Sequence, residues 1–310
     1  CDLATSETVT VTVVDDPVLT DPLPSLQEIC QFSAAECLVG SASGGVGNYT
    51  FEWFEVSDPT TPLQSDSNVT TSTFCPPSTL EGTFDYYYIV TTDVTDADCE
   101  TQSGTAQVIV NLPPSIDTQP LITQTVCEDG ATQSLEVSYI NGVGLPSYQW
   151  YVSAICDTTD LSNPIGGATL ASFTPPSTPV GTLYYFAVLT FAEGGCGAIT
   201  SDCAEVVVVT DPEINITTPL SYTICIDGEI GDIETTVSGG VGTATYTWYR
   251  DGSVVSSGID FTSYNPTVGE PSIFGTAGTY EFLAEVNFDG SGCDLATSET
   301  VTVTVVDDPV

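Results

Sequence analysis

The stretch CDLATSETVTVTVVDDPV closes the chain at Cys293–Val310, and the same eighteen residues open it at Cys1–Val18. Its centre alternates threonine and valine, which is the pattern of a half-buried β-strand. The two copies lie 292 residues apart and are identical, whereas old duplicates would have diverged. The sequence therefore predicts a β-protein that is a window of a longer array of units of about 292 residues.

A shorter repeat lies inside this unit. Trp53, Trp150 and Trp248 are 97 and 98 residues apart, and each lies within a glycine-rich motif such as GGVGTATYTWYR at Gly239. Each tryptophan has a cysteine 23 residues before it and another 45 or 46 residues after it. These spacings predict three homologous modules. Their predicted bounds are 19–114, 115–212 and 213–310, and residues 1–18 are predicted to be the closing strand of a preceding module.

Every module is rich in strand signals and lacks sustained helical periodicity. An alternating segment closes each module, at Ala106–Val110, Ala204–Val209 and Thr300–Val305, and the same pattern occurs at Thr8–Val13. A longer β-rich segment precedes each one, and in the tryptophan segment aromatic residues at i and i+2 share one face. Short strands, turn signals and one tryptophan per module predict an all-β chain of tandem β-sandwiches.

The eleven cysteines predict a disulfide-stapled protein from an oxidising, extracellular location. The third module has only Cys225 and Cys293, so these are predicted to pair, and the equivalent pairs follow in the other two modules. The remaining pairs follow by elimination. The five predicted disulfides are Cys30–Cys99, Cys127–Cys196, Cys225–Cys293, Cys37–Cys75 and Cys156–Cys203. Cys1 is predicted to have no partner within the chain. The bonds serve either ordinary stapling of small domains or resistance to mechanical force.

The charge is strongly one-sided, with 42 acidic residues against a single basic residue, Arg250. Nucleic acids and anionic membranes are excluded as partners because binding phosphate requires lysine or arginine. No apolar run is long enough to span a bilayer. Without histidine or lysine the usual catalytic bases are missing, so the chain is predicted not to be an enzyme. Neighbouring copies of the repeat, or other chains of a filament, are the predicted partners.

Acidic residues cluster near the predicted module junctions and suggest calcium, which takes six to eight oxygen ligands. The alternative is a solvated acidic surface, which is the usual role of charge runs. No cofactor is required by the sequence, and calcium is a possible ligand. The candidate calcium ligands are Asp15, Asp16, Asp211, Glu213, Asp307 and Asp308.

Two aromatic clusters allow a sugar-binding interpretation. Tyr86–Tyr88 and Tyr184–Phe186 could form platforms on which sugar rings stack. In a sandwich strand, however, alternate residues face the core. Core and cross-strand packing is therefore the alternative interpretation of the same residues.

The modules are variants of one pattern: a cysteine, then G-G-x-G-x-Y-x-W-Y, then a G-T-Y/F strand, and finally G-C and T-V-T-V. This pattern resembles the immunoglobulin-like (PKD-like) repeats of giant surface proteins exported by type IX secretion. Such repeats build gliding-motility adhesins and the grappling-hook filaments of predatory gliding bacteria. The resemblance implies tandem immunoglobulin-like β-sandwiches in a surface filament or adhesin stalk. Antibody-type domains place about a dozen residues between the first cysteine and the tryptophan, so the spacing of 23 implies a different disulfide here.

The sequence thus predicts a structural repeat segment of an extracellular, cell-surface filament or adhesin stalk, used in attachment, gliding or prey capture. The alternative is a set of carbohydrate-binding β-sandwich modules of a secreted enzyme. A stalk predicts further copies of the unit in the parent gene, whereas binding modules predict a neighbouring catalytic domain.

Overall fold

A computed structural model describes residues 4–93 and 99–307 of the chain. These residues form β-strands, turns and one helix of four residues. Their contacts divide the chain into two compact units. Unit 1 comprises Cys1–Asp117, Tyr139–Ser147 and Leu189–Ile199, and unit 2 comprises Thr118–Ser138, Tyr148–Val188 and Thr200–Val310.

The strands recur with the sequence repeat, and each third of the described chain has nine. The first third has β1 (Pro17–Leu19), β2 (Leu26–Cys30), β3 (Leu38–Gly44), β4 (Tyr49–Glu55), β5 (Gln64–Ser67), β6 (Thr71–Phe74), β7 (Gly82–Thr92), β8 (Glu100–Gln102) and β9 (Ala106–Asn111). The second has β10 (Ser115–Thr118), β11 (Thr123–Cys127), β12 (Leu135–Glu136), β13 (Ser138–Ile140), β14 (Ser147–Ser153), β15 (Ser172–Phe173), β16 (Gly181–Phe191), β17 (Gly197–Thr200) and β18 (Ala204–Val209). The last has β19 (Glu213–Ile216), β20 (Ser221–Cys225), β21 (Ile233–Ser238), β22 (Ala244–Arg250), β23 (Ser253–Ile259), β24 (Ser263–Tyr264), helix α1 (Pro266–Gly269), β25 (Gly278–Phe288), β26 (Ala296–Thr297) and β27 (Val301–Val306).

Unit 1 contains a six-stranded sheet in the order β2-β9-β7-β4-β5, with β8 beside β7. Strand β2 runs parallel to the closing strand β9, whereas β7 pairs antiparallel with both β9 and β4. A second sheet has the order β1-β3-β6. The core between the sheets holds Trp53 and Val108 from the first sheet and Leu38 and Phe74 from the second. Two sheets that enclose one core form a β-sandwich.

Unit 2 repeats this arrangement in its last third. The larger sheet has the order β20-β27-β25-β22-β23, with β26 beside β25, and the smaller sheet has the order β19-β21-β24. Trp248, Phe282 and Val303 of the larger sheet pack with Ile233 and Tyr264 of the smaller one. The sheet β11-β18-β16-β14 follows the same order, and its first strand again runs parallel to the closing strand. The smaller sheets of the middle third are β10-β13 and β12-β15.

The predicted closing strands appear as β9, β18 and β27. The same pattern at Thr8–Val13 does not form a strand. Val9, Val11 and Val13 are 82–91% exposed, whereas the valines of β27 at the equivalent positions are 0–3% exposed. The physical reason is the missing neighbours: β27 lies between β20 and β25, and residues 4–16 have no such strands beside them in the described part of the chain. Alternating sequence alone does not make a stable strand in water.

Candidate functional site

Four disulfides lie in the described part of the chain. Two are local and match the pairs predicted by elimination, Cys37–Cys75 and Cys156–Cys203. Two are long: Cys30 is bonded to Cys196 within unit 1, and Cys127 to Cys293 within unit 2. Each long bond spans 166 residues of sequence. The long bonds therefore join the first cysteine of one sequence module to the cysteine that lies 45 or 46 residues after the tryptophan of the next.

The predicted pairs Cys30–Cys99, Cys127–Cys196 and Cys225–Cys293 are wrong. The backbone explains the observed choice, because the amide of Cys30 donates to the carbonyl oxygen of Gly194 at 2.8 Å. The amide of Cys127 likewise donates to Ser291 at 2.9 Å. These hydrogen bonds bring each first cysteine beside the loop that carries its disulfide partner in the following module. Cys99 is buried, Cys225 is an exposed free thiol, and Cys1 lies outside the described residues.

The chain turns in the same way after each first cysteine. The residue after the cysteine donates its amide to the closing strand at 2.8–3.1 Å, and the residue three places after the cysteine donates to the cysteine carbonyl at 2.9–3.1 Å. The residue between them has a positive φ, of 66° at Phe32, 62° at Asp129 and 57° at Asp227. The three turns thus share one geometry, including the turn after Cys225.

Glycine makes the close approach at the long bonds possible. A Cβ atom on Gly130 would fall on the carbonyl of Ser291, and one on Gly292 would fall on the backbone of Gly130. In unit 1, a Cβ atom on Gly194 would lie 2.8 Å from the Cβ atom of Val143. Gly292 and Gly194 also have φ values of 79° and 62°, which larger residues rarely adopt.

Sequence reasoning missed these glycines as parts of the joint. The signal that could have found them is the run of small residues directly before Cys196 and Cys293, EGGC at Glu193 and GSGC at Gly290. Hydroxyl groups add to both joints. Ser33 donates to the carbonyl of Gly195, and Ser291 donates to that of Ala131, both at 2.8 Å. We call each long bond with its flanking turn and glycine loop a disulfide joint.

The acidic residues of the predicted calcium sites do not converge. Among residues 4–93 and 99–307, no group of three or more carboxylate, cysteine or histidine side chains is arranged to hold a metal ion. Asp211 accepts a hydrogen bond from the amide of Asp294 at 3.5 Å, which links two backbone segments. Asp308 lies outside the described residues. Calcium binding at the junctions by Asp15, Asp16, Glu213 or Asp307 stays a prediction.

The two aromatic clusters are used for packing. Tyr86, Tyr87 and Tyr88 are at most 7% exposed, as are Tyr185 and Phe186. Burial is the main reason that the pKa of Tyr86 rises to about 12, with a smaller effect of the Glu55 carboxylate. Tyr184 is half-buried and donates its hydroxyl to Glu205 at 2.9 Å. These residues therefore leave no open face on which a sugar ring could stack.

The one basic side chain is held by acidic neighbours. The guanidinium of Arg250 on β22 forms ion pairs with Glu270 and Asp251. No helix in the described part of the chain has the length and apolarity needed to cross a bilayer.

A cleft of about 610 Å³ lies beside the turn that follows Cys225. Its lining includes Asp227, Gly228, Glu229, Val268 and Phe274. Near the equivalent turn after Cys30, a smaller cleft of about 340 Å³ is bounded in part by Gly194 and Gly195 of the disulfide joint.

Residues 121–210 match a family described as a domain of unknown function (DUF8696), which covers less than a third of the chain. No curated protein matches the sequence. Among solved structures, an I-band fragment of titin shares 13% identity with a TM-score of 0.52, covering 94% of this chain and 99% of that one. A glutamate-to-alanine variant of the same three titin domains shares 12% identity with a TM-score of 0.51, covering 96% of this chain and 100% of that one. The chain thus has the fold of tandem immunoglobulin-like β-sandwiches, reinforced by disulfides.

Proposed function

We propose that the chain is a load-bearing segment of an extracellular stalk or filament on a cell surface. The observation that carries the proposal is the pair of long disulfides, Cys30–Cys196 and Cys127–Cys293, which cross-link successive sequence modules. A small secreted domain that needs only extra stability can close its disulfide within itself. A bond between successive modules adds a covalent connection along the array.

The bonds shorten the path along which force can travel. The shortest covalent path from Cys30 to Cys293 passes through Cys30–Cys196, Cys156–Cys203 and Cys127–Cys293. It contains about 36 residues of backbone, compared with about 263 residues in the reduced chain. At roughly 3.5 Å per residue, these lengths are about 130 Å and about 920 Å. Pulling therefore cannot extract the body of a module while the bonds are closed.

Composition and resemblance support the proposed extracellular location. Disulfides persist in oxidising compartments, and a net charge of −41 makes copies repel one another and stay soluble. The module pattern resembles that of type IX-secreted adhesins and filaments, which favours attachment, gliding or prey capture as the wider role. The carbohydrate-binding alternative loses its main support because the aromatic clusters are buried.

Single-molecule pulling by peptide tags at the two ends tests the proposal. We expect the oxidised chain to resist load without module-sized steps, which would measure roughly 340 Å for about 97 residues. Reduction should raise the maximum extension by about 800 Å. Module-by-module unfolding of the oxidised chain at low force would contradict a load-bearing role.

The chain offers a matched control. Cys37–Cys75 closes a loop that lies off the shortest path, so C37S together with C75S should leave the maximum extension of the oxidised chain unchanged.

A further inference from the structure

Cys225 differs from two equivalent cysteines of the same chain, because those two are bonded and Cys225 is not. Cys30, Cys127 and Cys225 are the last residues of β2, β11 and β20, and each is paired in parallel with a closing strand. The turn after each has the same hydrogen bonds and the same positive φ. Two of the three sulfurs are in long disulfides, and the third is an exposed thiol.

The length of the two long bonds identifies the missing partner. Both span 166 residues. Counting 166 residues forward from Cys225, in an array that repeats every 292 residues, reaches position 99 of the following copy. Residue 99 is a cysteine, and it follows its module's tryptophan by 46 residues, as Cys196 does, while Cys293 follows its tryptophan by 45. A spacing taken from two bonds therefore lands on a cysteine in the third case.

We infer that Cys225 forms a third disulfide joint with Cys99 of a following copy of this chain. This inference rests on the proposed function, since it requires an array. The cleft of about 610 Å³ beside the Cys225 turn gives the incoming loop a place to lie. At the corresponding position after Cys30, Gly194 and Gly195 lie against Glu28 and Ser33.

The bond forms by oxidation of two thiols, with a disulfide such as oxidised glutathione as the oxidant. The Cys225 thiolate attacks the oxidant, forms a mixed disulfide and releases one glutathione thiolate. The thiolate of Cys99 in the following copy then attacks the Cys225 sulfur and releases the second. One disulfide is consumed, one is formed, and two thiol protons leave with the two glutathione molecules.

The third joint would make the covalent connection continuous. A path could then run from Cys30 to Cys196, along the chain to Cys225, and across to the following copy. Only the 196–225 segment, about 29 residues or roughly 100 Å, would bear load over each two modules. Two modules contain about 195 residues, so only about 29 of every 195 residues could be drawn out by force, and the array would lengthen little.

The test uses the 310-residue chain followed directly by residues 19–310 of a second copy, secreted and oxidised in a glutathione buffer. Non-reduced peptides are then mapped by mass spectrometry. We expect a linked peptide pair containing Cys225 and Cys99. The pair should vanish with C225S in the first copy or with C99S in the second, and it should persist with C99S in the first.

Recovery of the first-copy Cys225 as a thiol would overturn the inference, as would its bonding within its own copy or between separate chains. The Cys30–Cys196 and Cys127–Cys293 peptide pairs report in every sample whether the modules are folded. If these joints form and the pulled chain resists load while Cys225 stays reduced, the inference fails and the proposed function stands. If the third joint forms but the oxidised chain unfolds module by module, the proposed function fails instead.

Discussion

At the residue scale, each of the three modules buries one tryptophan, and the indole N–H of each tryptophan donates a hydrogen bond. Trp150 and Trp248 donate to the carbonyl oxygens of Leu170 and Phe261, both at 2.9 Å. Trp53 instead donates to the hydroxyl of Ser72 at 2.7 Å, and Ser72 donates to the carboxylate of Asp66 at 2.6 Å. A buried N–H left without an acceptor costs about 1–3 kcal/mol, so these partners matter for stability.

The Asp66 carboxylate makes stability depend on pH. Hydrogen bonds from Ser72 and then Gln64 lower the pKa of Asp66 from its usual value. The unfolded chain therefore binds more protons at this residue, and its contribution to the free energy of unfolding is lost as the pH falls below about 4. We expect the free energy of unfolding of D66N to change less between pH 7 and pH 2 than that of the unchanged chain. The difference should be under about 1 kcal/mol because the carboxylate is largely solvated.

Denaturant unfolding at several pH values measures this dependence. The matched control is E136Q, which removes an exposed carboxylate on β12. Equal flattening in both variants would show that overall charge, and not the contact with Ser72, governs the effect.

The cysteines show where the sequence stops being informative. The tryptophan cores and the alternating valines were predictable because burial at every second residue is encoded locally. The pairing was not, because a bond within a module and a bond to the next module repeat with the same period. The third module, with only Cys225 and Cys293 in view, suggested that these two must pair. What decides is three-dimensional: the contact of Gly130 with Gly292 brings Cys127 and Cys293 together.

At the element scale, one sequence takes two conformations. Residues 8–13 are irregular and exposed, and their copy at residues 300–305 lies almost wholly in β27, between β20 and β25. Burial of a valine side chain contributes about 1.5–3 kcal/mol. Val301, Val303 and Val305 gain this burial, and Val9, Val11 and Val13 do not. Residues 8–13 can therefore form a stable strand only in a sheet that lacks its closing strand.

A peptide of residues 1–18 should fill such a place. In a chain of residues 19–292, β27 is missing while β20 and β25 remain. We expect the peptide to bind one-to-one, to bury Trp248 again, and to form a disulfide between its Cys1 and Cys127. Tryptophan fluorescence and intact mass would report both events.

A peptide with V9N, V11N and V13N keeps the cysteine but loses the apolar face. Its binding should be weaker by at least about tenfold, since three buried valines are lost. Equal capture of both peptides would mean that thiol chemistry alone, and not strand insertion, drives the association.

At the scale of the whole molecule, the two long disulfide loops overlap between residues 127 and 196. Each loop of 166 residues would contribute roughly 5 kcal/mol in the chain-entropy model if it stood alone. Overlap means that the contributions are not independent. The same overlap sets how far the chain can be stretched after a bond is lost.

Removing the joints one at a time should therefore differ from removing both. Without Cys30–Cys196, the shortest path from Cys30 to Cys293 uses Cys37–Cys75 and has about 59 residues. Without Cys127–Cys293 it has about 97, and without both it has about 178. From the starting value of about 36, the expected gains in maximum extension are roughly 80, 210 and 500 Å. Pulling the three cysteine-to-serine variants measures them, and a double variant that gained only the sum of the two single gains would contradict the overlap.

The overlap gives the molecule tolerance to damage. A rope splice holds because each strand is tucked beneath the next before the previous one ends, and breaking one strand shifts the load to its neighbour. The two joints follow the same rule, because the second loop begins at Cys127, well before the first ends at Cys196. Loss of one long bond lengthens the shortest path from Cys30 to Cys293 from about 36 to about 59 or 97 residues, and loss of both lengthens it to about 178. The extension under load would therefore grow in stages, and reoxidation could reverse it.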